Sequence, residues 1–176
     1  MESLGAFASF LPEIVLTISA LVLMLVAAYS GDGAAKTASW LAVAALAVAG
    51  ALLANPAVHG AGEIFNGLYR ADAFATFAKA LIYIAAAACI IVAPRFFDSE
   101  ATGGGLRTEY PVLILLACVG MSIMVSAADF LTLYVGLELN SLAAYVLASF
   151  MRRDVRSAEA GLKYFVLGAL ASGILL

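Results

Sequence analysis

Residues 130–151 read FLTLYVGLELNSLAAYVLASFM, an apolar run in which Glu138 is the one formal charge. A helix crossing a bilayer needs about 20 predominantly apolar residues, so this run is long enough to span. Working outward, comparable runs occur at Phe7–Tyr29, Thr37–Ala54, Ala73–Ala93, Tyr110–Ala127 and Ser157–Leu176. Turn chemistry separates them: Ser30-Gly31-Asp32-Gly33, then Asn55-Pro56, then Pro94-Arg95 followed by Gly103-Gly104-Gly105. Asp129 marks a tight turn that makes runs four and five antiparallel neighbours, and residues 152–156 divide runs five and six. These features predict an all-α integral membrane protein with about six transmembrane helices.

Composition points the same way. Hydrophobic residues are 65% of the 176 and charged residues 12%, against about 45–50% and about 25% in an ordinary soluble domain. A soluble fold of this size has too much surface to hide so much apolar side chain. The net charge of -3 and the absence of any basic patch exclude nucleic acid as a partner. Cys89 and Cys118 stand apart with no CxxC spacing and read as small buried apolar residues. The first run lacks a basic leader segment and is followed by similar runs, so it is read as a retained helix.

Lysine and arginine fall unevenly. Lys36, Arg95, Arg107, Arg152, Arg153 and Arg156 follow runs one, three and five, while the opposite side holds Arg70. That bias predicts an N-terminus outside and those loops in the cytoplasm. Leu175-Leu176 close the sequence without a cap or polar tail, which reads as part of a longer protein.

A charge inside a spanning helix costs roughly 2.5–3.5 kcal/mol on insertion scales and is a functional hypothesis by default. Glu138 lies about 20 Å from the arginine cluster, too deep for its charge to reach water. Helical spacing puts Tyr134, Ser141 and Tyr145 on its face, a stripe of hydroxyls and candidate channel lining. Two readings stand: a proton-carrying carboxyl on a hydrated axis, which is preferred, or a structural carboxyl that pins two helices. Lys163 lies about 9 Å into run six. It pairs in favourable order with Glu159 and snorkels, or it gains and loses a proton beside a carboxylate. Lys79, two turns into run three, is read as snorkelling before it is read as channel lining. Glu13, after Pro12, suits a first-turn carboxylate and needs no function. His59 is read as solvated in a polar outer loop. No phosphate loop, Ser/His/Asp set or Cys cluster is present in the sequence, so no redox chemistry is expected on this chain. Gly168, Ser172 and Gly173 are read as small residues that let helices approach.

Residues 126–142, SAADFLTLYVGLELNSL, resemble the signature of the antiporter-like membrane subunits of bacterial respiratory complex I. Residues 157–173, SAEAGLKYFVLGALASG, look like that family's following helix, and Leu11-Pro12-Glu13 with residues 65–74 point to one member of it. The resemblance divides the chain into N-terminal transmembrane helices over residues 1–125 and the start of the proton-translocating domain over residues 126–176. It implies proton translocation driven by quinone reduction elsewhere in a large complex, with Glu138 and Lys163 in proton transfer. NADH, FMN, iron–sulfur clusters and quinone would be held by other subunits, with no cofactor on this chain. The partners implied are other membrane subunits and lipid, in the bacterial inner membrane. The sequence departs from the family in length, since the later lysines and the inverted second repeat are not in it. A subunit of a multi-subunit cation/proton antiporter or of a membrane-bound hydrogenase shares the Glu-bearing helix and is the nearest alternative. A structural membrane scaffold is another.

Overall fold

The computed structural model describes residues 9–55, 62–65, 67–97, 106–151 and 154–176. His59, Pro56, Arg152, Arg153 and the glycines at 103–105 lie outside them. Among the described residues six helices are long and apolar enough to cross a membrane: α1 (Leu11–Ser30), α2 (Ala35–Leu53), α3 (Ala73–Phe97), α4 (Glu109–Ser126), α5 (Phe130–Ala148) and α6 (Val155–Leu175). A 3-10 turn over Gly31–Ala34 joins α1 to α2. α4 is the central helix and packs against α1, α2, α3 and α5, whereas α6 leans on α5. The core is built from Leu16 and Leu23 of α1, Leu46 of α2, Ile90 of α3 and Leu115 of α4. In a bilayer such contacts hold helices together by van der Waals packing, since lipid is as apolar as leucine.

Two expectations are corrected here. The third run does not end before Pro94; α3 carries the proline inside its last turn and continues to Phe97. Proline there forfeits one backbone hydrogen bond near the helix end, and Arg95 in that turn complements the helix dipole. The segment before α3 is more than a polar loop. Strands β1 (Gly62–Ile64) and β2 (Tyr69–Ala71) form an antiparallel hairpin. Its turn uses positive φ at Phe65 and Gly67, 55° and 86°, and the Phe65 ring meets Phe10 edge to face at 5.7 Å. The hairpin is tied to the α4–α5 link by a Tyr69–Ala127 bridge and by Ala128 N–H donating to the Leu68 carbonyl at 3.0 Å. It therefore lies across the end of the bundle where α1, α3 and α5 begin.

Asp129 makes the sharp α4–α5 turn by capping α5. Its Oδ1 accepts from the N–H groups of Leu131 and Thr132 at 2.8 and 3.0 Å, and the Thr132 hydroxyl donates to Oδ2 at 2.5 Å. The Thr132 side chain first, then these backbone N–H groups, hold the carboxyl below its ordinary pKa of 3.8. A depressed folded value means the capping stabilisation is complete above the unfolded pKa and is lost as pH falls through the folded one. Thermal unfolding of the solubilised protein should show an acid-side loss of stability that shrinks in Asp129→Asn. An identical acid limb in both proteins would contradict this account.

Candidate functional site

Glu138 sits near the middle of α5, half-buried. The α5 face that carries it is turned towards α6, because Tyr145, seven residues on, packs there edge to face with Tyr164 and Phe165 at 4.9 and 5.7 Å. Gly168 of α6 makes room for that tyrosine: a Cβ added at Gly168 would lie 2.0 Å from the Tyr145 hydroxyl. One turn further along α6, the Ser172 hydroxyl donates a hydrogen bond to Glu138 Oε1. Tyr134 and Ser141 are half-buried at the spacings that share the Glu138 face. The carboxyl thus lies between two spanning helices, with one serine donor fixed on it. Ser172 had been read as a packing residue; its four-residue step from Gly168 puts it on the α5-facing side, the signal for its second role.

Lys163 is not brought to Glu138. Gly161 of α6 faces Ser149 so closely that a Cβ there would stand 2.4 Å from the serine Cβ. Two residues further is about 200° around the helix, so Lys163 points away from α5. Its side chain is 69% exposed and pairs with Glu159 Oε1 at 2.5 Å. The ion-pair partner of Lys163 in this bundle is Glu159.

Lys79 overturns its reading. Its side chain is 3% exposed and does not snorkel; its Nζ lies 2.6 Å from Oε1 of Glu13, itself 1% exposed. The Tyr69 hydroxyl of β2 donates to the same oxygen at 2.9 Å and accepts from Lys79 Nζ at 2.5 Å. Lys79 also stands over the Tyr69 ring, 4.8 Å from its centre. Burial first, then the Glu13 charge, raises the Tyr69 pKa well above its ordinary value of 10.0, so the phenol stays a donor. The reason for the pair is geometric: α1 and α3 both start on the hairpin side, and the long Lys79 stem, leaning towards the start of its helix, reaches the first-turn carboxylate of α1. Among the described residues no group of three or more His, Cys, Asp or Glu could hold a metal ion. Cys118 is buried as expected, whereas Cys89 is exposed on α3.

Residues 127–176 match the family model described as "NADH:quinone oxidoreductase/Mrp antiporter, TM". The whole chain is 65% identical, over 176 residues, to NADH-quinone oxidoreductase subunit N of Rhizorhabdus wittichii, covering 36% of that protein. It is 58% identical over 180 residues to the subunit of the same name from Erythrobacter litoralis, covering all of this chain and 36% of the relative. Against the subunit N of Sphingopyxis alaskensis identity is 57% over 166 residues, 94% of this chain and 33% of that one. The chain spans about a third of the length of the curated relatives it matches. The spanning helices, the Glu-bearing α5 and these identities make the chain similar, over about a third of their length, to the antiporter-like membrane subunits of NADH-quinone oxidoreductase named subunit N.

Proposed function

We propose that this chain is the part of a subunit N that begins its proton path, and that Glu138 is the group that takes up and releases the proton. The observation that carries the reading is a carboxyl deep in an apolar helix, held from one side by the Ser172 hydroxyl of the neighbouring helix. A carboxyl with a hydroxyl partner on the next helix has both a proton to exchange and a polar neighbour to pass it along. Quinone reduction in other subunits would drive the exchange by shifting the balance between two states of the channel. The names of the relatives support NADH and quinone as reactants of the whole complex; flavin and iron–sulfur clusters would be held by partner subunits. Lys163, held by Glu159 on the face turned away from α5, would exchange with Glu138 through intervening groups and not by direct contact. Tyr134, Ser141 and Tyr145 would line the path. The distribution of lysine and arginine supports a multi-pass protein of the bacterial cytoplasmic membrane with its N-terminus outside.

The Ser172 bond also favours a second reading, in which Glu138 pins α5 to α6 and moves no proton. Glu138→Gln separates the two, because the amide oxygen still accepts from Ser172 but the side chain cannot exchange a proton. In the assembled complex, proton transfer per electron should fall at least tenfold, with quinone reductase assembly retained. A wild-type ratio in assembled particles would reject the proton role and leave the structural one.

A further inference from the structure

We propose a second proton-exchange site on this chain: the Glu13–Lys79–Tyr69 cluster beneath the hairpin, which binds a proton through water held by Glu13 and Ser126. The proposal rests on the translocating reading of the chain but on different residues. Three elements converge here, α1, β2 and α3, and the pair they form is more buried than Glu138. Both contacts to Glu13, from Lys79 Nζ and from the Tyr69 hydroxyl, fall on Oε1. Among the described residues its Oε2 and the Oγ of Ser126 are buried with no hydrogen-bond partner in good geometry, the serine lying against the Tyr69 hydroxyl.

A purely structural buried ion pair is tolerable when its remaining lone pairs are satisfied, and an apolar pair of similar volume is often as stable. This one leaves a carboxylate oxygen and a hydroxyl unsatisfied beside the same tyrosine. A water there would find the two to four polar partners that a buried water needs. The polar groups continue inward in helical register. Lys79 to Tyr83 on α3 and Ser126 to Ser122 on α4 are each one turn, and Ser122 donates to the Tyr83 hydroxyl at 3.1 Å. The ladder descends to the level of Glu138, since Met124 of α4 meets Gly136 and Gly120 meets Asn140. The other titratable groups facing the cluster are Asp72, which caps α3 through Ala75 N–H at 2.7 Å, and Tyr83; α4 offers Cys118 below Ser122. When a proton arrives on Glu13, the Lys79 ammonium loses its counter-charge and Tyr69 can turn its hydroxyl, so the proton state of one end is reported along the ladder.

The test uses the whole subunit in its assembled complex. Single neutralisation leaves a lone buried charge, so the informative variant is the double replacement Glu13→Gln with Lys79→Met, which removes both charges and keeps shape. It should assemble and reduce quinone at the wild-type rate while its proton-to-electron ratio falls by the same factor as in Glu138→Gln. Tyr69→Phe, which keeps the Glu13–Lys79 pair and so leaves neither charge unpaired, should at least halve the ratio and raise the solvent deuterium effect on turnover. Wild-type ratios in both variants, alongside a lost ratio in Glu138→Gln, would overturn this proposal alone. A wild-type ratio in Glu138→Gln would instead overturn the reading on which it rests.

Discussion

Lys79→Met, made alone, is expected to be the most damaging single substitution in the described bundle. It removes the cation 2.6 Å from a carboxylate that is 1% exposed, and leaves the Tyr69 hydroxyl as the donor on that oxygen. Breaking a buried ion pair from one side typically costs roughly 3–5 kcal/mol, because the remaining charge is left uncompensated in a medium of low dielectric. Native proteins are stable by about 5–15 kcal/mol, so this is a large share of the total. The consequence is local first. The hairpin reaches the bundle end through Tyr69, which pairs with Ala127 and packs against Phe10 at 5.3 Å, so its anchorage loosens with the pair. Solubilised subunit should show a lower unfolding temperature and faster proteolysis within residues 62–71. Glu13→Gln added to Lys79→Met should restore most of the loss. A single variant as stable as wild type would mean that the pair is hydrated and not the buried contact described.

Gly120→Ala is expected to have the second largest effect, through steric contact alone. A Cβ at Gly120 would stand 2.6 Å from the backbone nitrogen of Asn140 and 2.7 Å from the carbonyl oxygen of Gly136. Both are helix backbone, which cannot rotate out of the way. The reciprocal position is as tight, since a Cβ at Gly136 would lie 2.9 Å from the Gly120 carbonyl. α4 and α5 must therefore move apart, and overpacking of this kind costs about 1–3 kcal/mol. In lipid that separation forfeits the close packing that drives helix association. It also shifts the helix that holds Glu138, so proton transfer should fall together with stability. Gly50→Ala is the control: nothing lies within 4 Å of its Cβ position. There the gain in helix propensity, up to about 1 kcal/mol, should leave stability unchanged or higher. Equal thermal stability of the Gly120 and Gly50 variants would contradict the close approach.

Glu138 was legible because a carboxyl within an unbroken apolar run is anomalous in one dimension. Its partner was not. Ser172 is 34 residues away and reads as one of several small residues in α6. Lys163 was legible only as a charge within an apolar run; which way it faces follows from the α6 rotation that seats Gly161 and Gly168 against α5. The Glu13–Lys79 pair spans 66 positions of sequence. Each member alone had an ordinary explanation, a helix-start carboxylate and a snorkelling lysine.

By itself the sequence determined the membrane class, the six spans, the tight turn at Asp129 and the singular position of Glu138. Each of these depends on residues close together along the chain: run length, turn chemistry, or one charge among apolar neighbours. The tertiary structure decided which charges are solvated and which are paired, that a hairpin covers one end, and which face of α6 meets α5. Those outcomes depend on the rotation of each helix about its axis. That rotation is set by where glycines allow backbones to touch and where opposite charges meet, which no single segment encodes.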